Sequence, residues 1–201
     1  MNIDTLKNQI EQEYKDVTLG DNYTLAEENY ADTSYWYFDK QHPDSHLTAE
    51  EWANQELSFF ETCGWLAADQ EEAIQAIKEK RKMANRFSNP LEIPSLYLNM
   101  HFTGFTYLTP QAYLFYTPAI MKHYLNEPDS LYSNSFTWWL YRLERANSPD
   151  LIKVLLEYFD IQQVDVLEKF LLYVFKSSNE YKDINIALDN LRHIKKWIIN
   201  Q

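Results

Sequence analysis

The stretch that decides the fold runs Phe105-Thr-Tyr-Leu-Thr-Pro-Gln-Ala-Tyr-Leu-Phe-Tyr-Thr-Pro-Ala-Ile-Met-Lys-His-Tyr-Leu125. Thr109 is a good helix N-cap, and Pro110 suits the first helical position. Apolar and aromatic residues then recur every three or four positions, which predicts a helix with a broad buried face. Pro118 lacks an N–H and clashes with the carbonyl of Leu114. We therefore expect a kink or a restart there, with a Tyr hydroxyl or a water bonding the freed carbonyl.

Helical spacing also occurs on both sides of this stretch. It predicts further helices over residues 3–17, 48–64, 69–87, 133–143, 148–159, 160–175 and 184–198. Gly20 is expected to end the first of them as a left-handed cap residue. About eight helices and no hairpin signal predict an all-α fold, an irregular bundle. We expect one domain over residues 1–201, with an acidic N-terminal helix and aromatic-rich arm over 1–47 and a helical core over 48–201.

Composition limits the classes of protein that this chain can represent. Its 201 residues are 45% hydrophobic and 16% aromatic, which is enough to bury a core, and 3 Gly leave little material for phosphate-binding loops. A single cysteine, Cys63, excludes an internal disulfide framework. No apolar run is long enough to cross a bilayer, and the first residues lack the basic start and apolar middle of a signal peptide. We therefore expect a cytoplasmic protein.

The net charge of −12 is unevenly distributed. Residues 1–72 hold 17 Asp and Glu against 3 Lys, a balance of −14, whereas residues 73–201 hold 13 against 15, a balance of +2. An acidic surface repels nucleic acid and anionic lipid and attracts basic proteins. The alternative is that the first third is simply a well-solvated surface.

Residues 21–46 lack helical periodicity and mix acidic with aromatic side chains. Such a long connection is often functional. Trp and Tyr dominate interface energetics, so we predict a partner-binding surface here that continues into the next helix. The residues predicted to bind the partner are Tyr30, Asp32, Tyr35, Trp36, Tyr37, Asp39, Asp44, Glu50 and Glu51. The alternative is that these rings pack the arm onto the core.

Residues 105–119 resemble an uncharacterised family of small acidic bacterial proteins. That family carries a motif of the form Phe-x-x-Leu-Thr-Pro-Glu-Ala-Phe-x-Tyr-Tyr-Leu-Pro-Ala, followed by a glutamine-containing helix and a C-terminal helix ending near a tryptophan. The matching residues here are Tyr107 to Tyr113, Phe115 to Ala119, Gln163, Val166, Phe170, Leu171, Tyr173 and Trp197. The resemblance covers roughly residues 96–199, with Gln111 replacing the usual acid and Thr117 the usual leucine. It implies a helical fold and no activity. By analogy, acidic families of this kind include immunity proteins found beside toxins.

The chain lacks the usual catalytic motifs. It has no Gly-rich phosphate loop, no Gly-x-Ser-x-Gly elbow and no His-Glu-x-x-His. His42 and His46 form the only dense pair of metal ligands, but Pro43 and Ser45 place them in a loop and no third ligand is evident. Cys63 lies beside Phe59 and Phe60, which favours a buried structural thiol. We predict no catalytic residues, no metal site and no cofactor.

These observations favour a cytoplasmic bacterial immunity protein that binds and occludes a cognate toxin, and that toxin is expected to be basic. We expect no nucleic-acid or membrane partner. One alternative is a helical enzyme or metal-binding protein with a site between Pro118 and the histidines, assisted by His42 and His46. Another is a homo-oligomeric structural protein, and the sequence leaves the oligomeric state open.

Overall fold

The computed structural model describes residues 2–20, 22–26, 28–29, 87–128, 133–145, 149–178 and 182–199. In these ranges the α-helices are α1 (Ile3–Tyr14), α2 (Ser95–Met100), α3 (Pro110–Asn126), α4 (Asn134–Arg145), α5 (Pro149–Leu155), α6 (Ile161–Ser178) and α7 (Lys182–Ile199). Two short 3-10 helices, Pro90–Glu92 and Phe102–Thr106, precede α2 and α3. The same ranges contain no strand, so the all-α prediction is confirmed. None of the helices described is both long and apolar enough to cross a membrane.

Helix α3 lies at the centre of the bundle. Twelve of its 17 residues are buried, on all sides of the helix rather than on one face. It contacts α1, α2, α4, α5 and the 3-10 helix Pro90–Glu92. A helix that is apolar all round is stable only when other elements surround it. The sequence stretch from Phe105 to Leu125 therefore organises the packing of the described chain, as its composition predicts.

Pro118 does not interrupt α3. The helix is continuous from Pro110 to Asn126 and does not restart at the proline. Next to the proline, Thr117 Oγ1 donates to the buried carbonyl of Tyr113 at 2.7 Å. This carbonyl lies one residue before that of Leu114, whose backbone donor the proline removes, so the predicted partner of the Leu114 carbonyl stays a prediction.

Several predicted helix caps are present. Thr109 Oγ1 accepts from the N–H of Ala112 at 3.2 Å, and Pro110 follows in the first helical turn of α3. Ser133 Oγ accepts from the N–H of Phe136 at 3.2 Å at the start of α4. Each of these bonds satisfies an N–H that has no partner within the helix. The predicted helix over 48–64 lies outside the described residues, as does that over 69–87 except for Phe87, which is not helical.

The predicted end of the first helix was wrong. Helix α1 ends at Tyr14, with Lys15 as its C-cap, and the chain then turns before reaching Gly20. Gly20 does adopt the left-handed conformation, with φ of 60°, but at a turn several residues beyond the helix. Val17 is accordingly outside the helix, where its half-buried side chain packs against the core.

Residues 24–26 and 28–29 lie against the 3-10 helix Phe102–Thr106. The N–H of Leu25 donates to Tyr116 Oη at 3.0 Å, and the N–H of Ala26 donates to Tyr97 Oη at 3.1 Å. A Cβ on Gly104 would lie 2.4 Å from the carbonyl oxygen of Leu25. Only a glycine therefore permits this close approach of two backbones.

Arg142 fixes the turn that leads into α3. Its guanidinium donates to the carbonyls of Phe105, at 3.1 Å, and Leu108. It also lies over the ring of Tyr113, 5.3 Å from the centroid. Burial lowers the pKa of this guanidinium, although neighbouring Tyr113 opposes the shift. Carbonyls at the end of a short helix lack backbone donors, and the Arg142 guanidinium provides the missing N–H donors.

Candidate functional site

The predicted partner-binding residues lie outside the part of the chain that the structure describes. They are Tyr30, Asp32, Tyr35, Trp36, Tyr37, Asp39, Asp44, Glu50 and Glu51. The same holds for His42, His46 and Cys63, so their assignments remain predictions.

The remaining histidines lie apart in the fold. His101 is buried against the ring of Tyr97, with centroids 4.9 Å apart. His123 on α3 lies 3.9 Å from a carboxylate oxygen of Glu127, and His193 on α7 is exposed. Within the described ranges no group of three His, Cys, Asp or Glu side chains is placed to hold a metal ion.

Helix α1 is the described part of the acidic first third. Its inner face buries Leu6, Ile10 and Tyr14, each at most 2% exposed. The three- and four-residue spacing of these apolar positions directs the intervening polar ones outward. The carboxylates on the exposed side belong to Asp4, Glu11 and Asp16, the last just beyond the helix end. Three negative charges on this face therefore meet solvent.

Two hydrogen bonds fasten the end of α1 to the start of α6. Tyr14 Oη donates to the carbonyl of Gln163 at 2.9 Å, and Gln163 Nε2 donates to the carbonyl of Glu13 at 2.9 Å. Burial raises the pKa of the Tyr14 phenol well above its usual value, and the charge of nearby Asp160 adds to this effect. The phenol thus stays protonated as a donor, and the acidic face of α1 is held rigidly against the bundle.

A cleft of about 290 Å³ is lined by residues of α1, α3 and the first 3-10 helix. Two lysines cross it: Lys7 Nζ donates to Asn126 Oδ1 at 2.7 Å, and Lys122 Nζ donates to the carbonyl of Leu91 at 2.6 Å. Both acceptors are neutral oxygens, and Glu11 lies on the wall of the cleft. The lysines act here as cross-links between elements, and the cleft carries charges of both signs.

A second cleft, of about 300 Å³, lies beside α6 and contains an ion-pair network. Asp165 accepts from Lys195 and from Lys169, the latter at 2.6 Å, and Glu168 accepts from Lys195 at 3.0 Å and Arg192 at 3.3 Å. The hydrogen bonds from the two lysines lower the pKa of Asp165. This carboxylate therefore stays ionised, which suits a structural link between α6 and α7 rather than proton donation.

Helix α5 is apolar on two neighbouring sides. One side buries Ile152 and Leu155, and Leu156 just beyond the helix end is buried too, as the sequence predicts. The other side carries Leu151 and Val154, which are 60% and 56% exposed. A helix that is apolar on more than one side is normally enclosed by other elements. Leu151 and Val154, the outward row of α5, are therefore an exception in this bundle.

The outward row continues beyond the helix. Tyr158 is 54% exposed, and Trp197 on α7 is 41% exposed. Lys153 Nζ lies 5.1 Å from the centroid of the Trp197 ring and 3.6 Å from Asp150 Oδ1, which places the tryptophan beside α5. The sequence-based prediction did not include this surface. The signal that could have found it is the spacing of Leu151, Val154 and Tyr158, which repeats the helical period on a side next to the buried set.

Comparison with known proteins adds no functional information: no family model matches the chain, and neither do any curated protein or solved structure.

Proposed function

We propose that this chain is a bacterial immunity protein of the cytoplasm, which binds a cognate basic toxin and occludes it. The observation that carries the proposal is the charge balance of −14 in residues 1–72 against +2 in the rest of the chain. A field of one sign concentrated on one part of a protein attracts a partner of the opposite sign and accelerates its association. Toxins that act on nucleic acids need basic surfaces to bind phosphates, so they match this requirement.

The geometry of α1 supports the electrostatic part of the proposal. Asp4, Glu11 and Asp16 are exposed, so this part of the acidic third presents three carboxylates to solvent, with Lys7 and Lys15 as the cations on the same stretch. The bonds of Tyr14 and Gln163 hold α1 against the bundle, which fixes the position of those charges. A fixed charge pattern orients an incoming partner more effectively than a mobile one.

The aromatic arm and the family resemblance support the remaining parts. Tyr35, Trp36 and Tyr37 are the residue types that contribute most to the free energy of protein interfaces. The resemblance of residues 96–199 to small acidic bacterial proteins supports the bacterial setting, and the analogy with immunity proteins follows from it. Occlusion of the toxin, rather than its chemical modification, is the mechanism that this composition favours.

The decisive experiment uses the product of the gene adjacent to this one. We expect it to co-purify with the chain, to bind it with a Kd below about 1 µM, and to stop growth of cells that lack the chain. Failure of the two proteins to bind more tightly than this would contradict the proposal. A complex that forms while the toxin keeps its full activity would contradict occlusion.

A pair of charge reversals tests the role of the acidic third. Glu11→Lys changes an exposed carboxylate of α1, and Glu127→Lys makes the same change outside the acidic third. We expect Glu11→Lys to slow association more than Glu127→Lys at low ionic strength, and the difference to shrink as salt screens both charges. Equal effects of the two reversals would show that the acidic third does not steer the partner.

A further inference from the structure

We propose that the outward side of α5 is a docking surface for a basic, amphipathic helix of the partner. This surface, the α5 face, consists of Leu151, Val154 and Tyr158 with the neighbouring Trp197, flanked by the carboxylates of Asp150, Glu157 and Asp160. The inference rests on the proposed function, since it assigns the partner's contact surface.

The apolar part of the argument concerns the cost of exposure. Leu151, Val154 and Tyr158 follow one another at three- and four-residue spacing, and each keeps more than half of its surface in water. Single exposed apolar residues are common on proteins, but a continuous row on one helix marks an interaction site. The ring of Trp197 extends the row onto α7, because Lys153 packs over it from α5. Tryptophan and tyrosine at such a position are typical interface anchors.

The charges around the row decide the chemistry of the partner. Asp150, Glu157 and Asp160 are all exposed on the same stretch of chain, and Asp160 also caps α6 by accepting from the N–H of Gln163. Two lysines lie near the row: Lys153, whose ammonium is engaged by Trp197 and Asp150, and exposed Lys196, next to Trp197 in the chain. A segment that presents Leu-like side chains to the row and Lys or Arg to its edges would therefore match both features. An acidic segment would meet three carboxylates of like charge.

A helix is the partner segment that fits the geometry. Leu151 and Val154 lie one turn apart on α5, Tyr158 follows just beyond the helix end, and Trp197 lies beside them on α7, so the exposed residues form a row rather than the lining of a pocket. Two helices pack when the side-chain ridges of one lie in the grooves of the other, and a row of this kind supplies one such ridge. An amphipathic helix also carries its apolar residues at the same period as the row.

The test uses a synthetic helical peptide with Leu at every third or fourth position and Lys at the others, and a control peptide with Glu in place of Lys. We expect the Lys peptide to shift the backbone amide resonances of residues 150–158 and of Trp197, and the Glu peptide to shift none of them. Shifts concentrated elsewhere in the protein, or equal binding of both peptides, would overturn the proposal. This measurement on the unaltered protein does not depend on the folding of any variant.

Matched variants locate the binding energy. The double change Leu151→Ser and Val154→Ser removes the row, whereas Leu96→Ser and Met100→Ser removes a comparable pair that is 63% and 42% exposed on α2. We expect the first pair to weaken binding of the Lys peptide about tenfold and the second to leave it within about twofold. Equal losses in both pairs would overturn the proposal.

The two proposals fail separately. If the adjacent gene product binds the chain and the α5-face variants do not weaken that complex, the docking surface is wrong and the immunity function stands. If the Lys peptide binds the α5 face but the adjacent gene product does not bind the chain, the surface stands and the immunity function is wrong.

Discussion

The rings of Tyr113 and Trp139 stack on each other, and the two residues are also linked by hydrogen bonds, one direct and the others through the hydroxyl of Thr117. Their rings lie 6.4 Å apart and only 8° from parallel, and Tyr113 Oη donates to the carbonyl of Trp139 at 2.9 Å. In return, Trp139 Nε1 donates to Thr117 Oγ1 at 3.1 Å, and that hydroxyl donates to the carbonyl of Tyr113. The bonds form a closed circuit between α3 and α4. Every buried polar group in it has a partner, which is the condition for such a network to stabilise a core.

Replacing Thr117 with valine keeps the shape of the side chain and removes its oxygen. The indole N–H of Trp139 then loses its acceptor in a buried site, so we expect the free energy of unfolding to fall by about 1–3 kcal/mol. Chemical denaturation gives this value directly. The indole N–H resonance of Trp139 should also shift and exchange faster with solvent.

Thr137→Val is the matched control for that change. Thr137 Oγ1 makes the same kind of bond, to the carbonyl of Ser133 at 3.1 Å, but at an exposed position. Water replaces the lost bond there, so we expect a change within about 0.5 kcal/mol. If both variants lower the free energy of unfolding equally, the hydrogen bonds that link Tyr113, Thr117 and Trp139 contribute nothing beyond a bond within one helix.

Gly104→Ala should force two backbones apart. The added Cβ would lie 2.4 Å from the carbonyl oxygen of Leu25 and 3.0 Å from the nitrogen of Asn29, and neither atom belongs to a flexible side chain. We expect a loss of about 1–3 kcal/mol or more. Hydrogen exchange should show faster exchange at the amides of Leu25 and Ala26, because the tyrosine hydroxyls that accept from them would no longer be in reach.

Gly20→Ala provides the comparison. Its cost comes from the left-handed φ of 60° and is expected to be about 1 kcal/mol, since the nearest atom to the new Cβ is the mobile amide nitrogen of Gln111. Exchange at Leu25 and Ala26 should stay unchanged. Unaltered exchange in Gly104→Ala would refute the close approach of the two backbones.

Acid should weaken the link between α6 and α7. Hydrogen bonds from Lys169 and Lys195 hold the pKa of Asp165 below its unperturbed value of 3.8. A carboxyl whose pKa is lower in the folded state stabilises the fold above the unfolded value and loses that contribution as the pH falls through the folded value. We expect Asp165→Asn to cost about 1 kcal/mol at neutral pH. The difference from the unaltered protein should begin to shrink as the pH falls below 3.8 and should disappear once the pH is below the lower pKa of the folded state.

Asp189→Asn serves as its control. That side chain is 77% exposed and pairs only with Arg192, at 3.3 Å. We expect it to change the unfolding free energy by no more than about 0.5 kcal/mol at neutral pH. Parallel pH profiles for the two variants, measured by denaturation between neutral and acid pH, would contradict the assignment of the acid-sensitive link to Asp165.

Gln163→Ala should loosen α1 and α6 together. Gln163 Oε1 accepts from the N–H of Asp160 at 3.1 Å, while Nε2 donates to the carbonyl of Glu13. Losing both at a residue only 7% exposed is expected to cost about 1–2 kcal/mol. The neighbouring change Gln162→Ala removes an exposed amide and should cost less than about 0.5 kcal/mol. If a protease cuts α1 no faster in Gln163→Ala than in Gln162→Ala, the side chain of Gln163 does not hold α1 against α6.

The local features of this fold could be predicted from the sequence because their causes are local. Thr109, Ser133 and Asp160 begin helices, since the side chain of each accepts from an N–H group three residues further along the chain. The helical spacing of the aromatic residues predicts α3 itself in the same way, although the helix is buried on all sides rather than on the predicted face. Such interactions depend on neighbours in the chain and on nothing else.

The parts that could not be predicted depend on distant residues. Helix α2 is too short, and its apolar spacing too irregular, to be predicted from the sequence. It forms where Tyr97 packs against Phe87 and Tyr116. Continuity of α3 at Pro118 requires a surrounding bundle that the sequence does not display. The α5 face was not predicted, because apolar residues are expected to be buried. Whether a given apolar residue is exposed depends on which other helices pack over it in the fold.

The ties of α1 also have a consequence for the order in which the chain becomes structured during synthesis. Tyr14 bonds a carbonyl 149 residues further along the chain. At ordinary translation rates of about 5–20 residues per second, the ribosome needs roughly 7–30 s to produce that acceptor after it has made Tyr14. For that interval the apolar side of α1 has no α6 to cover it. The like charges on its outer side repel those of neighbouring nascent chains until α6 emerges.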